Sequence, residues 1–423
     1  MIVAGLPTPP SSPASSSAIA RPAGRGGPLS IGLFTYSTLP RGSVVHTAYL
    51  AEALAEAGHD VTVYALDKDG RGFFRPLRAG VHLRLVPAAP APALTAALVR
   101  QRASELAVFL ARHGGDHDLC HAQDCLSASG LLAARASGLP LTVARTVHHV
   151  EAFVDGELAA CQERSIREAD LCFAVSQAAH DDTRAAFDVD STIVGNGVDV
   201  PRFAVRAPAA RLRGWRARLG RAAPIVLAVG GVEARKNTLR ILAAFARLRE
   251  SWPDARLWIL GGASVLDHGA TRAAFDAACR VLPPATRAAI VELGVVDDAD
   301  VPALFQLADV LALPSLHEGF GLAALEALAA GLPVLASNRA PFTEYLDASC
   351  AVLVDPLSES AMAAGLHAAL APSPERRQAG RRRAEAHDWA AVAARHLAGY
   401  RQLRDLKERN TVDARDAFPG SLA

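Results

Sequence analysis

The chain has 423 residues, too many for one ordinary core, and divides naturally into two α/β domains of about 200 residues each. Half the residues are apolar and the net charge is only +1, so there is no broad basic field of the kind that holds nucleic acid. No apolar run approaches the roughly 18 residues of a membrane span, and the six cysteines are scattered without a C-x-x-C pair. Together these predict a cytoplasmic protein with reduced, buried thiols.

Residues 1–28, rich in Pro, Ser, Gly and Ala, read as a disordered extension or a misassigned start. Leu29–Thr35 then reads as a strand, Val44–Ala57 as a helix closed by Gly58, and Val61–Leu66 and Val81–Val86 as strands. Leu94–Arg112 is a long helical pattern and Leu119–Ala122 a short buried strand. Leu126–Ala136 is helical and stops at Gly138-Leu139-Pro140. Thr142–Thr146 and Leu171–Val175 are the next strands. Residues 206–222 mark the crossing between a first half, 29–205, and a second, 206–389.

The second half repeats the alternation. Ile225–Val229, Arg256–Leu260, Ala289–Leu293, Val310–Leu313 and Pro333–Ser337 read as strands, and Thr238–Ser251, Leu322–Ala330 and Ser360–Leu370 as helices. A final helical stretch, His387–Leu406, follows. Strands separated by helices predict two parallel sheets, each covered on both faces, with ligands bound beyond the strand carboxyl ends in the cleft between the halves. The arginines 376, 377, 381, 382 and 383 lie at helical spacing beside Glu375 and Glu385. They read as a solvated helix face, with peripheral contact to an anionic membrane as the lesser reading.

The most informative stretch is Leu313-Pro314-Ser315-Leu316-His317-Glu318-Gly319-Phe320-Gly321-Leu322, with Glu326 in the helix that follows. A strand, a glycine turn and a helix N-terminus present free N–H groups to an anion. Carboxylates on either side would repel a bare phosphate but accept hydrogen bonds from sugar and ribose hydroxyls. The competing reading makes Glu318 a helix cap and Glu326 part of a solvated face.

Glu318-x7-Glu326 after this turn resembles the retaining nucleotide-sugar glycosyltransferases of family 4 (group 1), which have the GT-B fold. The resemblance extends in order through Arg41-Gly42-Ser43-Val44-Val45-His46, His121-Ala122-Gln123-Asp124, Thr146-Val147-His148, Ala174-Val175-Ser176 and Gly195-Asn196-Gly197-Val198-Asp199. It continues through Val229-Gly230-Gly231, Arg235-Lys236-Asn237 and Leu260-Gly261-Gly262.

It implies two doubly wound domains, an acceptor-side first domain onto which the last helix (about 390–410) crosses back, and a nucleotide-sugar donor domain. The implied reaction moves a sugar from a nucleotide diphosphate sugar to a hydroxyl acceptor with retention of configuration. By the resemblance, Lys236 meets the diphosphate, Glu318 orients the donor sugar, Glu326 binds ribose hydroxyls, and the backbone of Phe320, Gly321 and Leu322 faces the diphosphate with Gly230 and Gly231. His148 lies beside the transferred sugar, with His149 as the alternative.

Gly42 and Ser43 abut the donor phosphate or the acceptor, unless Ser43 simply caps its helix. Asn196-Gly197 reads as a structural turn. The family commonly has arginine at the position of Gly231. Arg235 is then the nearest replacement and Arg339 the competitor.

No cofactor and no metal are implied. The Asp-x-Asp pairs at Asp67/Asp69, Asp188/Asp190 and Asp298/Asp300 are turn coincidences. The lack of Gly-x-Gly-x-x-Gly followed by an acid disfavours an oxidoreductase. A nucleotide-sugar epimerase or sugar phosphorylase of the same architecture, or a weakly catalytic nucleotide-sugar-binding subunit, are the alternatives.

Overall fold

A computed structural model describes residues 27–92, 94–114, 116–220, 224–262 and 269–417, so most of the expected extension at 1–28 lies outside the described residues. The first half runs β1 (Ser30–Thr35), α1 (Gly42–Glu56), β2 (Asp60–Asp67), β3 (Val81–Pro87), α2 (Thr95–His113), β4 (Leu119–Ala122) and α3 (Cys125–Ala136). It continues with β5 (Val143–Val147), α4 (Gly156–Arg167), β6 (Leu171–Ala174), α5 (Gln177–Phe187) and β7 (Thr192–Ile193). Two helices, α6 (Val200–Ala204) and α7 (Ala209–Leu219), lead across.

The second half runs β8 (Ile225–Val229), α8 (Thr238–Ser251), β9 (Arg256–Leu260), α9 (Gly269–Val281), α10 (Pro284–Ala288), β10 (Ile290–Gly294) and α11 (Val301–Leu307). There follow β11 (Val310–Leu313), α12 (Leu322–Ala330), β12 (Val334–Ser337), α13 (Phe342–Tyr345), β13 (Val352–Val354), α14 (Glu359–Leu370), α15 (Pro374–Glu385) and α16 (Trp389–Ala417).

Both sheets are wholly parallel, in the orders β3-β2-β1-β4-β5-β6-β7 and β10-β9-β8-β11-β12-β13. Their central strands are buried apolar runs such as Val310-Leu311-Ala312-Leu313, as expected of strands covered on both faces. Strand order reverses between β1 and β4 in the first sheet and between β8 and β11 in the second. The loops leaving these four strands open a crevice at each carboxyl edge, and the candidate site is made from them together with the loops after β5 and β6.

Trp389, Val392, Ala393, Leu397 and Tyr400 of α16 join the core beneath β1, β5 and α1, so the last helix packs on the first domain. The crossing at 206–222 is largely helical, and Leu212, Trp215 and Leu219 of α7 join the second domain's core. Helices α4, α5, α9 and α11 and the short strands β7 and β13 are additions to the sequence reading. Among the described residues, no helix is long and apolar enough to cross a membrane. Two of the arginines of α15 serve the protein's own surface: Arg383 pairs with Asp347 at 2.7 Å and Arg376 donates to the Ala368 carbonyl at 3.3 Å.

Candidate active site

The loop after β8 starts with two glycines in the left-handed region, Gly230 at φ 120° and Gly231 at φ 75°. A Cβ at 231 would stand 2.8 Å from the Gly262 carbonyl oxygen. This backbone therefore excludes the expected arginine, whatever its side chain might reach. The same loop ends at Asn237, a buried residue at φ 62° that donates to the Pro314 and Pro356 carbonyls at 3.0 and 2.6 Å. Those bonds, with the Leu316 N–H donating to the Arg235 carbonyl at 2.7 Å, tie the loop after β8 to the loop after β11.

Lys236 and Glu318 meet where these loops join, with Nζ 2.5 Å from Oε2. Arg235 stands between two acids, 2.9 Å from Glu233 Oε2 and 3.6 Å from Glu318 Oε1. Burial alone would raise the pKa of Glu318. Lys236 and then Arg235 overcome it and hold the carboxyl at about 2. Glu318 is thus an anion at any working pH and cannot serve as a general acid.

It does not cap a helix either. The N-cap of α12 is Gly321 at φ 94°, the first turn carries no acidic residue, and no side chain caps it. The open turn of α12, with its positive dipole end, therefore lies just beyond the Lys236–Glu318 pair. Phe320 is positioned by stacking on Tyr345, with centroids 4.7 Å apart, while the Tyr345 hydroxyl donates to the Phe320 carbonyl at 2.9 Å. Leu322 reaches the core of the first domain.

Glu326 is half-buried rather than on a solvated face. Burial pushes its carboxyl up to about 7, Arg202 pulling it down and Asp298 adding to the rise. Arg202 is fixed by the Tyr49 hydroxyl at 2.6 Å and the Asp298 carboxylate at 3.0 Å.

The first domain closes over this cluster. A Cβ on Gly319 would overlap the His148 carbonyl, so only glycine permits the approach. Ser176 donates to the Gly319 carbonyl at 2.8 Å. Across the same seam, the Glu344 carboxylate accepts from the N–H groups of Gln177 and Ala178 at 2.8 and 2.9 Å, capping α5 from the other domain.

The His148 ring contacts the Gln123 side chain at 3.1 Å and packs edge-on to His46, with centroids 4.8 Å apart. Burial, then His46 and Arg145, keep it well below the usual histidine range, so it is neutral. His149 turns to Glu151 at 3.0 Å, yet it is His149 that adds to the field lowering Glu318.

Asn196 does more than form a turn, since its side-chain oxygen lies 2.6 Å from His46 Nδ1 and fixes that ring beneath His148. Gly42 is exposed as the first residue of α1, with open space where a Cβ would be. Ser43 is not the cap, because the N-cap position is Arg41 and no side chain fills the role. Arg339 pairs with Asp355 at 3.6 Å on the exposed side, so Arg235 is the arginine the structure brings to Lys236 and Glu318.

Glu233, Arg202, Tyr345 and Glu344 were missed by sequence reasoning. Only Glu233, inside the Val229–Asn237 motif, had a local signal.

Two facing parallel-sheet domains with a cationic loop and an uncapped helix at the seam define a GT-B protein. Sucrose-phosphate synthase from Thermosynechococcus elongatus superposes with a TM-score of 0.73 at 23% identity, covering 89% of this chain and 100% of that one. Residues 215–386 match the family model for glycosyl transferases group 1, and residues 40–202 match that for Glycosyltransferase Family 4.

Glycogen synthase of Mycobacterium tuberculosis is 30% identical over 82% of this chain and 88% of its own length. The D-inositol 3-phosphate glycosyltransferase of Salinispora tropica is 30% identical over 86% and 80% respectively. The chain belongs to the group 1 glycosyltransferases of family 4, and it is an enzyme of the hexosyltransferase type.

Proposed function

We propose that the protein moves a hexosyl group from a nucleotide diphosphate sugar to a hydroxyl acceptor, with retention of configuration and without a metal, in the cytoplasm. The observation that carries this reading is the Lys236–Glu318–Arg235 cluster at the open N-terminus of α12, facing His148 across the seam.

Lys236, Arg235 and the N–H groups of α12 neutralise the diphosphate as it leaves, in a site where fixed charges act strongly. Glu318, kept anionic, accepts from sugar hydroxyls and opposes the positive charge that develops at the anomeric carbon. Glu326 accepts from the ribose hydroxyls. His148, neutral and fixed by Gln123 and His46, hydrogen-bonds the transferred sugar. Gly230, Gly231, Phe320, Gly321 and Leu322 supply the close backbone walls, and Gly42 lies at the open edge where α1 begins. All six cysteines are unpaired thiols, which supports a reducing compartment.

The test is proton NMR of the first-formed product, from an α-linked donor, in EDTA. The reading requires an α-linked product and free nucleoside diphosphate. A β-linked product, or turnover that EDTA abolishes, contradicts it.

A further inference from the structure

The first domain meets the seam with the start of α5, and the second domain holds it at two places. Ser176, the N-cap of α5, accepts from the Ala179 N–H at 3.0 Å and donates across the seam to the Gly319 carbonyl at 2.8 Å. The N–H groups of Gln177 and Ala178 each donate to one oxygen of the Glu344 carboxylate, at 2.8 and 2.9 Å. An anion at a helix N-terminus gains from the dipole as well as from the two bonds.

Glu344 belongs to α13, a single turn whose other residues reach the start of α12. The Tyr345 hydroxyl shares its proton between the Phe320 carbonyl at 2.9 Å and the Gly321 carbonyl at 3.2 Å, and its ring lies 4° from the plane of Phe320. Phe342 closes the space beside Gly321, where a Cβ would stand 2.5 Å from its ring. Both aromatic side chains are buried, and the Leu346 N–H donates to the Phe342 carbonyl at 2.7 Å, so the turn is braced as a unit.

Peptide groups are planar, so a carbonyl held at Phe320 aims the Gly321 N–H to the opposite side, and one held at Gly321 aims the Leu322 N–H. Gly321, at φ 94° and without a Cβ, has little stiffness of its own. Tyr345 supplies it.

We propose that Glu344 is a positioning residue for the transfer: by gripping α5 it fixes α13, and through Tyr345 it aims the Gly321 and Leu322 N–H groups at the diphosphate. The proposal rests on the donor reading for the word diphosphate, but not for the seam itself. Parting of the domains would break both Glu344 bonds and slacken the turn, so the anion site is complete only with the first domain in place.

The test is a double-mutant cycle on the full chain: Glu344→Gln, Tyr345→Phe and both together. Glu344 is exposed and phenylalanine keeps the Tyr345 ring, so the melting temperatures should stay close to wild type. Glutamine offers one acceptor oxygen in place of two and no charge. UDP, GDP and ADP are titrated calorimetrically in EDTA, and small-angle X-ray scattering gives the radius of gyration without nucleotide.

Each single variant should weaken the nucleotide that the wild type binds by roughly fivefold. The double variant should bind no more weakly than the weaker single, because the two residues act in series. Glu344→Gln, unlike Tyr345→Phe, should also enlarge the radius of gyration. Wild-type affinity or an unchanged radius in Glu344→Gln, early melting of that variant, or losses that multiply in the double variant overturns the proposal. If none of the three nucleotides binds the wild type, the donor reading fails by itself, and the scattering comparison still decides whether Glu344 holds the seam.

Discussion

Replacing Arg235 by alanine tests how this chain manages without the arginine that its backbone excludes at position 231. The guanidinium lies in the Lys236 loop, 30% exposed, and divides its charge between Glu233 at 2.9 Å and Glu318 at 3.6 Å. A unit charge about 4 Å from a phosphate oxygen is worth about 4 kcal/mol at an effective dielectric of about 20. The two neighbouring acids cancel part of it and leave about 2–3 kcal/mol for the departing diphosphate.

Charge on that group grows as the glycosidic bond breaks, so the loss falls on kcat, by roughly 30- to 150-fold at saturating donor. Alanine also strands Glu233, whose side chain is 4% exposed, and the variant should melt earlier for that reason alone. Adding Glu233→Gln should restore the melting temperature but not the rate, which separates catalysis from folding. Nucleoside diphosphate release under saturating donor gives the rate. A kcat within twofold of wild type in Arg235→Ala, or a large loss in Arg339→Ala instead, would refute the reasoning.

Glu326 binds hydroxyls best as a carboxylate and sits at about 7, so the donor KM should rise as pH falls from 8 to 6. Glu326→Ala should raise the donor KM at every pH with little change in kcat, and a flat KM profile in the wild type would count against the ribose role. Glu318 has its folded-state pKa depressed to about 2, so the stability it contributes is full above the ordinary glutamate range near 4.5 and is lost as pH falls toward 2. Glu318→Gln should therefore flatten acid unfolding in that window, followed by circular dichroism, and an unchanged slope would sink the idea. Gly319→Ala puts a methyl group into the His148 carbonyl, so the seam must open: kcat/KM should fall by about 10² or more. Wild-type kinetics in that variant would show that the seam is not the working state.

The fold was legible because parallel strands buried on both faces leave unbroken apolar runs, and Arg256–Leu260 and Val310–Leu313 have the limits predicted for them. Helices α4, α5 and α9 were overlooked because their interiors are rich in charged and small polar residues, as in Gln162-Glu163-Arg164-Ser165, and their faces blur into loop composition. Glu318 and Lys236 were each legible from a local motif. Their pairing was not, because it spans 82 positions and depends on Asn237 joining two loops. The missing arginine was visible as a departure, but its cause lies in the Gly231 dihedral and the Gly262 carbonyl. Asn196 read as a turn because nothing near it in sequence points to His46, 150 residues away. Glu344 was silent for the same reason, as its α5 partners belong to the other domain.

The central claim is that the seam holds a nucleoside diphosphate on Lys236 and the open end of α12. Titration calorimetry of UDP, GDP and ADP in EDTA, on the wild type and on Lys236→Ala, tests it directly. One of the three should bind the wild type without metal and bind Lys236→Ala at least tenfold more weakly. Equal affinity in both proteins, or binding that appears only when a divalent ion is restored, would contradict it.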